Sequence, residues 1–293
     1  MKLGLHLPQF SGSPRDLAKV ASFAEDSGYS TIWVSEHLLT PHMGGAIPPV
    51  EIMDPLVTLG YVAALTTTIR LATSVIVVPY HNPIHLAKEL ATLDRLCEGR
   101  LVAGLASGWL EPEFRALGAP YEKRGIYTDE AIRLMRACWA SEAPQFNGDF
   151  FDLSGMHFGP RPAAGRIPIW VGGLSRRAIR RAVELGDGWH ATRSTPEELA
   201  QRLGWLREIA AKKGKSLDRF AISHRVYVGF APKWTETGGY VRGIMAPPEE
   251  LANYLNRYAQ LGVRELLVTP LGTQGAMEDF LERFDREVRP KLI

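Results

Sequence analysis

Two glycines interrupt the stretch Trp170-Val171-Gly172-Gly173-Leu174-Ser175-Arg176-Arg177, between an apolar run and a helical one. Glycines there let a ligand approach the main chain. The amides of Gly173, Leu174 and Ser175 would point from a helix N-terminus, where the dipole favours an anion. Arg176 or Arg177 would add a charge-assisted contact, whereas Arg180 and Arg181 are expected to face solvent. The competing reading is a tight strand-to-helix turn with solvated arginines. A second small-residue turn, Gly104-Leu105-Ala106-Ser107-Gly108-Trp109, leaves room for a planar ring or a phosphate, unless it is simply close-packed. The third feature is Ser35-Glu36-His37. A histidine at a strand end can polarise a carbonyl or relay a proton, although a lone histidine also serves structure. Strand alternation turns Glu36 away from His37, toward a helix residue.

These residues need elements to hold them. Apolar strand-like runs alternate with amphipathic helical runs, the pattern of parallel α/β structure. The strands read as 2–8, 31–37, 70–78, 100–107, 167–173, 187–192, 219–230 and 265–270. Asp54 and Pro55 form a helix start, as do Pro83 and the pair Pro247-Pro248. Eight strand–helix units imply an α/β fold, a (β/α)8 TIM barrel as one domain over 1–293, with insertions after strands 2, 4 and 7. A barrel of that kind needs about 250 residues, and the chain has 293. The aperiodic segments are 41–53, read as a loop over the mouth, and 231–246, read as a mobile lid. A short hairpin is expected around Asn147-Gly148-Asp149.

Composition narrows the function classes. With 45% hydrophobic and 23% charged residues, the chain has ample material for a large core. A net charge of +2 and no long basic run argue against a nucleic-acid partner. No apolar run is long enough to span a membrane and no export signal opens the chain, so a cytoplasmic protein is expected. Cys97 and Cys138 read as reduced, buried thiols. An amidohydrolase would need a His-X-His pair on the first strand, but only His6 is present there, followed by Leu7 and Pro8. A glycosidase would need two acids facing a cleft, and the fourth and seventh strands end without one. His6, His190 and His224 would have to converge to bind a metal, and no metal site is expected.

A set of segments resembles the bacterial luciferase-like flavin/deazaflavin oxidoreductase superfamily. They are Leu5-His-Leu-Pro8, Trp33-Val-Ser-Glu-His37, Ala72-Thr-Ser-Val75 and Asn82-Pro-Ile-His-Leu-Ala-Lys88. With them go Ala91-Thr-Leu-Asp94, Gly99-Arg-Leu101, Gly108-Trp109, Trp170-Val-Gly-Gly173 and Gly186-Asp-Gly-Trp189. The resemblance implies a barrel holding either the deazaflavin F420 or, alternatively, FMN at its mouth. It implies a non-prolyl cis peptide at Ser74–Val75, supporting the ring together with Thr73. Cofactor contacts would fall at Gly104, Ala106, Ser107, Gly108, Gly172, Gly173, Leu174, Ser175 and Arg176, with the phosphate held by the 104–107 turn and by Gly172, Gly173 and Ser175. His37 would be catalytic. Tyr80, Trp109 and Trp189 would line the substrate pocket, and a homodimer is the expected assembly.

There is one departure. Some deazaflavin dehydrogenases of sugars and alcohols carry a glutamate directly after the glycine matching Gly108, and here Trp109 stands there. Sugar-phosphate or simple-alcohol oxidation by that same mechanism is not expected, and Trp109 suggests an apolar wall. Three functions follow: F420-dependent hydride transfer to or from a small, rather apolar molecule, FMN-dependent monooxygenation with O2, or flavin binding without turnover. A bulky residue at Gly173 is expected to abolish cofactor binding with the fold intact.

Overall fold

The computed structural model describes residues 1–9, 12–40, 51–238, 241–271 and 277–293. The chain runs β1 (Lys2–His6), α1 (Pro14–Asp26), β2 (Thr31–Val34), α2 (Pro55–Leu65), β3 (Arg70–Thr73), β4 (Ile76–Val77), α3 (Pro83–Leu96) and β5 (Leu101–Ala106). It continues with α4 (Glu111–Ala116), α5 (Arg124–Ala140), β6 (Phe146–Asn147), β7 (Asp152–Leu153), β8 (Ile169–Gly172), α6 (Arg176–Leu185), β9 (Gly188–Thr192) and α7 (Pro196–Lys212). The last elements are β10 (Ala221–Phe230), β11 (Thr235–Thr237), β12 (Gly243–Ala246), α8 (Pro248–Gln260), β13 (Glu265–Pro270) and α9 (Met277–Glu287).

The parallel strands pair in the order β1-β2-β3-β5-β8-β9-β10-β13, and β13 returns to β1, with Leu3 opposite Leu266 and Leu5 opposite Val268. The sheet is therefore closed: a (β/α)8 barrel. Helix starts follow the sequence signals. Ser13 and Thr195 form capping boxes on α1 and α7, and the side chains of Asp54 and Asn82 cap α2 and α3.

Period-2 alternation divides the buried residues into two populations. Outward positions such as Leu3, Leu5, Ile32, Leu71 and Val171 join the large apolar layer beneath the helices. Inward positions Trp33, Ala72, Val102, Trp170 and Leu267 form a separate cluster inside the barrel. Trp33 and Trp170 meet with ring centroids 5.6 Å apart. A Cβ at Gly4 would strike the Trp33 indole, which is why the largest side chain fits beside β1. At the N-terminal end, Arg70 pairs with Glu265 and lies 5.6 Å from the Trp170 ring centre.

Two insertions differ in kind. The hairpin around 147–149 is present, with β6 and β7 antiparallel and Phe146 opposite Leu153. The expected aperiodic lid at 231–246 is corrected: β12 runs parallel to the end of β10, pairing Val228 with Ile244, and β11 pairs antiparallel to β12. β10 has ten residues and outruns β9, so its upper half needs a new neighbour. Of the 41–53 loop, 41–50 lies outside the described residues.

Candidate active site at the barrel mouth

All eight strands end on one side, and the expected site residues collect there with informative exceptions. Small inward residues close β5 and β8. A Cβ at Gly172 would lie 3.0 Å from Val75 Cγ1 and 3.4 Å from the Ala106 Cβ. Val75 and Ala106 therefore close on the end of β8 so tightly that only glycine fits there without a shift. Gly108 has φ +75°, and a Cβ there would come within 2.5 Å of Val77 and 2.7 Å of the Phe114 ring. Gly173 has φ +120°, with its would-be Cβ 2.7 Å from Ala178. The Ser175 hydroxyl accepts from Ala178 N and caps α6, so its side chain is engaged while the loop amides lead into the helix. The Ser74–Val75 peptide is cis.

Three expected contributors have other occupations. Thr73 is fully buried and its hydroxyl donates to Gly104 O and accepts from Gly104 N, tying β3 to β5. Arg176 turns along the surface to Glu208 at 2.8 Å and lies over the Trp205 ring. Trp189 is corrected most clearly. It is fully buried in the layer beneath the helices, and its indole donates to Gly173 O at 2.8 Å. β9 alternates, and its inward residues are Gly188, His190 and Thr192. Trp189 thus braces the glycine turn from behind. Arg181 is also not solvated: it is buried and paired with Asp129.

His37 stands on the rim, and its partner was not anticipated. Glu113 of α4 is buried. Its Oε2 lies 3.1 Å from His37 Nδ1 and accepts from the Tyr80 hydroxyl at 2.9 Å, while Oε1 accepts from the amides of Leu38 and Leu39. Burial alone would raise this carboxyl, but hydrogen bonds from His37, the Leu39 amide and Tyr80 hold it below the usual carboxylate range. The exposed Trp109 ring meets His37 edge-on, centroids 6.4 Å apart. Glu36 does point away from His37, but it binds the Val77 amide at the end of β4 and His81 in the connection to α3, neither of them a helix residue. Burial opposes protonation of His81, and the Glu36 carboxylate overcomes it, raising its pKa.

Beneath the rim lies a polar layer. His6 Nε2 is 2.8 Å from Ser35 Oγ, which in turn is 3.0 Å from Ser74 O. His190 bridges Ser74 Oγ at 2.9 Å and Ser223 Oγ at 2.7 Å. Arg225, nearly buried, donates to Thr269 Oγ1, Ser35 Oγ and Ser74 O. Burial first, then the Arg225 charge, depresses His190 to about 3 and also holds His6 well below its ordinary value. Both rings are neutral at pH 7. His224 faces the other way and stacks on Tyr258. Among the described residues, no group of three or more His, Cys, Asp or Glu is arranged to hold a metal ion. No described helix is long and apolar enough to cross a membrane.

Comparison with known proteins identifies the family and agrees with the fold. The family model described as luciferase-like monooxygenase matches residues 1–236. The chain belongs to that family. An uncharacterised protein of Mycobacterium tuberculosis is 30% identical over 263 residues, covering 85% of each chain. An F420-dependent glucose-6-phosphate dehydrogenase of Beutenbergia cavernae is 32% identical over 240 residues, 79% of this chain and 69% of that one. Among solved structures, an F420-dependent secondary alcohol dehydrogenase in complex with an F420–acetone adduct superposes with a TM-score of 0.85. It covers 100% of this chain and 99% of that chain at 18% identity, a likeness of fold. Two motif residues have structural roles: Arg100 binds the carbonyls of Ala63, Thr66 and Ile69, and Asp187 accepts from the Ile169 amide.

Proposed function

We propose that this member of the luciferase-like family is an F420-dependent oxidoreductase that moves hydride to or from a small, rather apolar organic molecule. One observation carries the reading: a carboxylate-held histidine on the rim of a barrel mouth whose strand ends β5 and β8 finish in the small residues Ala106 and Gly172. Small residues at those strand ends suit a flat ring laid across the mouth. Thr192 Oγ1, on an inward position of β9, is buried without a hydrogen-bond partner among the described residues, which suits a polar ligand edge. The main chain of 104–108 and 172–175, with the start of α6, suits a terminal phosphate. A deazaflavin would supply a two-electron carrier that passes hydride only. Relatives named for that cofactor support it over FMN.

Against such a ring, His37 would hand a proton to or from the substrate heteroatom next to the carbon that exchanges hydride. Trp109 and Tyr80 would wall the substrate, with Trp109 excluding water from the reacting carbon.

The test is a fluorescence-quenching titration of the purified protein with F420 and with FMN. Saturable binding of F420 with weak or absent FMN binding is expected. Binding of FMN alone would replace the reading with the monooxygenase one, and binding of neither would remove it. Gly173 is a poor place to block the ring. Its φ and the nearby Ala178 mean that any side chain there would disturb the turn itself, so Ala106 is the better position.

A further inference from the structure

We propose that Glu113 is a positioning residue that selects the tautomer of His37, placing the hydrogen on Nδ1 and leaving Nε2 as the proton-accepting atom. The inference deepens the proposed function and rests on its reading of His37 as the acid–base group.

The argument is one of donors and acceptors. Each oxygen of Glu113 receives two partners. Oε1 takes the amides of Leu38 at 2.6 Å and Leu39 at 3.0 Å, and Oε2 takes the Tyr80 hydroxyl at 2.9 Å and His37 Nδ1 at 3.1 Å. Main-chain amides donate and never accept, so Oε1 is an acceptor twice over. An ionised carboxylate is acceptor-only, with about four lone-pair sites, and all four are used here. His37 Nδ1 must then be the donor. A neutral imidazole carries one N–H, so Nε2 carries no hydrogen.

The two oxygens divide the work. Oε1 fixes the backbone as it leaves β2, which sets where His37 stands. Oε2 fixes the ring about its own axis, with Tyr80 bracing the carboxylate from the turn after β4. A carboxylate that only anchored the chain would need Oε1 alone. When Nε2 takes a proton, the resulting imidazolium still presents Nδ1–H to Glu113, and the new positive charge forms beside a negative one already in place. No oxidant or reductant enters this step: an N–H bond forms at Nε2, and the donor keeps its electron pair.

The prediction is read without turnover. In protein carrying ¹⁵N-histidine, held about two pH units above the ordinary histidine value of about 6.5, long-range ¹H–¹⁵N spectra report which ring nitrogen carries hydrogen. The His37 signals are assigned by their loss in His37→Asn. The wild-type protein is expected to show protonated Nδ1 and bare Nε2, and Glu113→Gln to lose that preference. The carboxamide offers a donor where the ring needs an acceptor. Tyr80→Phe keeps both carboxylate oxygens and is expected to keep the wild-type signature. A wild-type ring protonated at Nε2, or one unchanged in Glu113→Gln, overturns the proposal. If Glu113→Gln does not fold, the wild-type and Tyr80→Phe spectra decide it. The cofactor titration fails or succeeds separately, so a protein that binds neither cofactor but shows this tautomer refutes the function and leaves the geometry.

Discussion

The two ends of the barrel obey the same alternation and end up as opposites. Near the N-terminal ends, inward positions hold Trp33, Trp170, Leu267 and the Arg70–Glu265 pair, and the interior is plugged. At the C-terminal ends the same parity brings Ala106, Gly172, Ser35, Ser74 and Thr269, all small or polar. Position decides only which residues face inward. Side-chain volume decides whether that interior is a core or a site. Stability and ligand binding should therefore separate along the barrel axis.

Leu267→Ala, in the plug, is expected to cost about 2–5 kcal/mol of unfolding free energy, the range for a buried leucine truncated to alanine. Urea denaturation measures it, and the cofactor titration midpoint should not move. Ala106→Phe is the converse. It is expected to weaken cofactor binding about 100-fold, or about 2.8 kcal/mol at 1.4 per decade, with the urea midpoint preserved. If each variant moved both quantities, the division of labour would be wrong.

The polar layer between the two ends sharpens the comparison through pH. His190 and His224 are depressed to about 3 and His6 is lowered as well, each chiefly by burial. Folded, they stay neutral, whereas the unfolded chain protonates them below about 6.5, so falling pH favours unfolding. Stability is full above that value and should fall by about 1.4 kcal/mol per pH unit for each such histidine between roughly 6.5 and 4.5. Urea midpoints across that window should lose one histidine's share of slope in His190→Asn; an unchanged slope refutes the depressed value. The smallest effect is at the rim. Tyr80→Phe removes one of four donors to Glu113 and is expected to cost about 1 kcal/mol, read by urea denaturation.

Much of this architecture was legible in the chain. Helix caps at Ser13, Asp54, Asn82 and Thr195 sit one residue from their helices, and turn glycines such as Gly173 carry their backbone requirement locally. Trp189 was placed on the wrong face although strand alternation was available to correct it, since His190 beside it takes the inward position. The 231–246 segment has weak periodicity because its strands are short and its partner β10 is supplied from outside.

Glu113 was hidden for a different reason. Seventy-six positions separate it from His37, and in sequence it is one of two acids on a short helix. Local order, inside against outside, and the bare turns after β5 and β8 belong to the sequence alone, because residue size and a two-residue period act between neighbours. Closure of β13 onto β1, the meeting of Ser35 with Arg225 across 190 residues, and the carboxylate set against His37 belong to the tertiary structure. Those contacts exist only once distant strands share one ring, where burial makes every unmet donor costly.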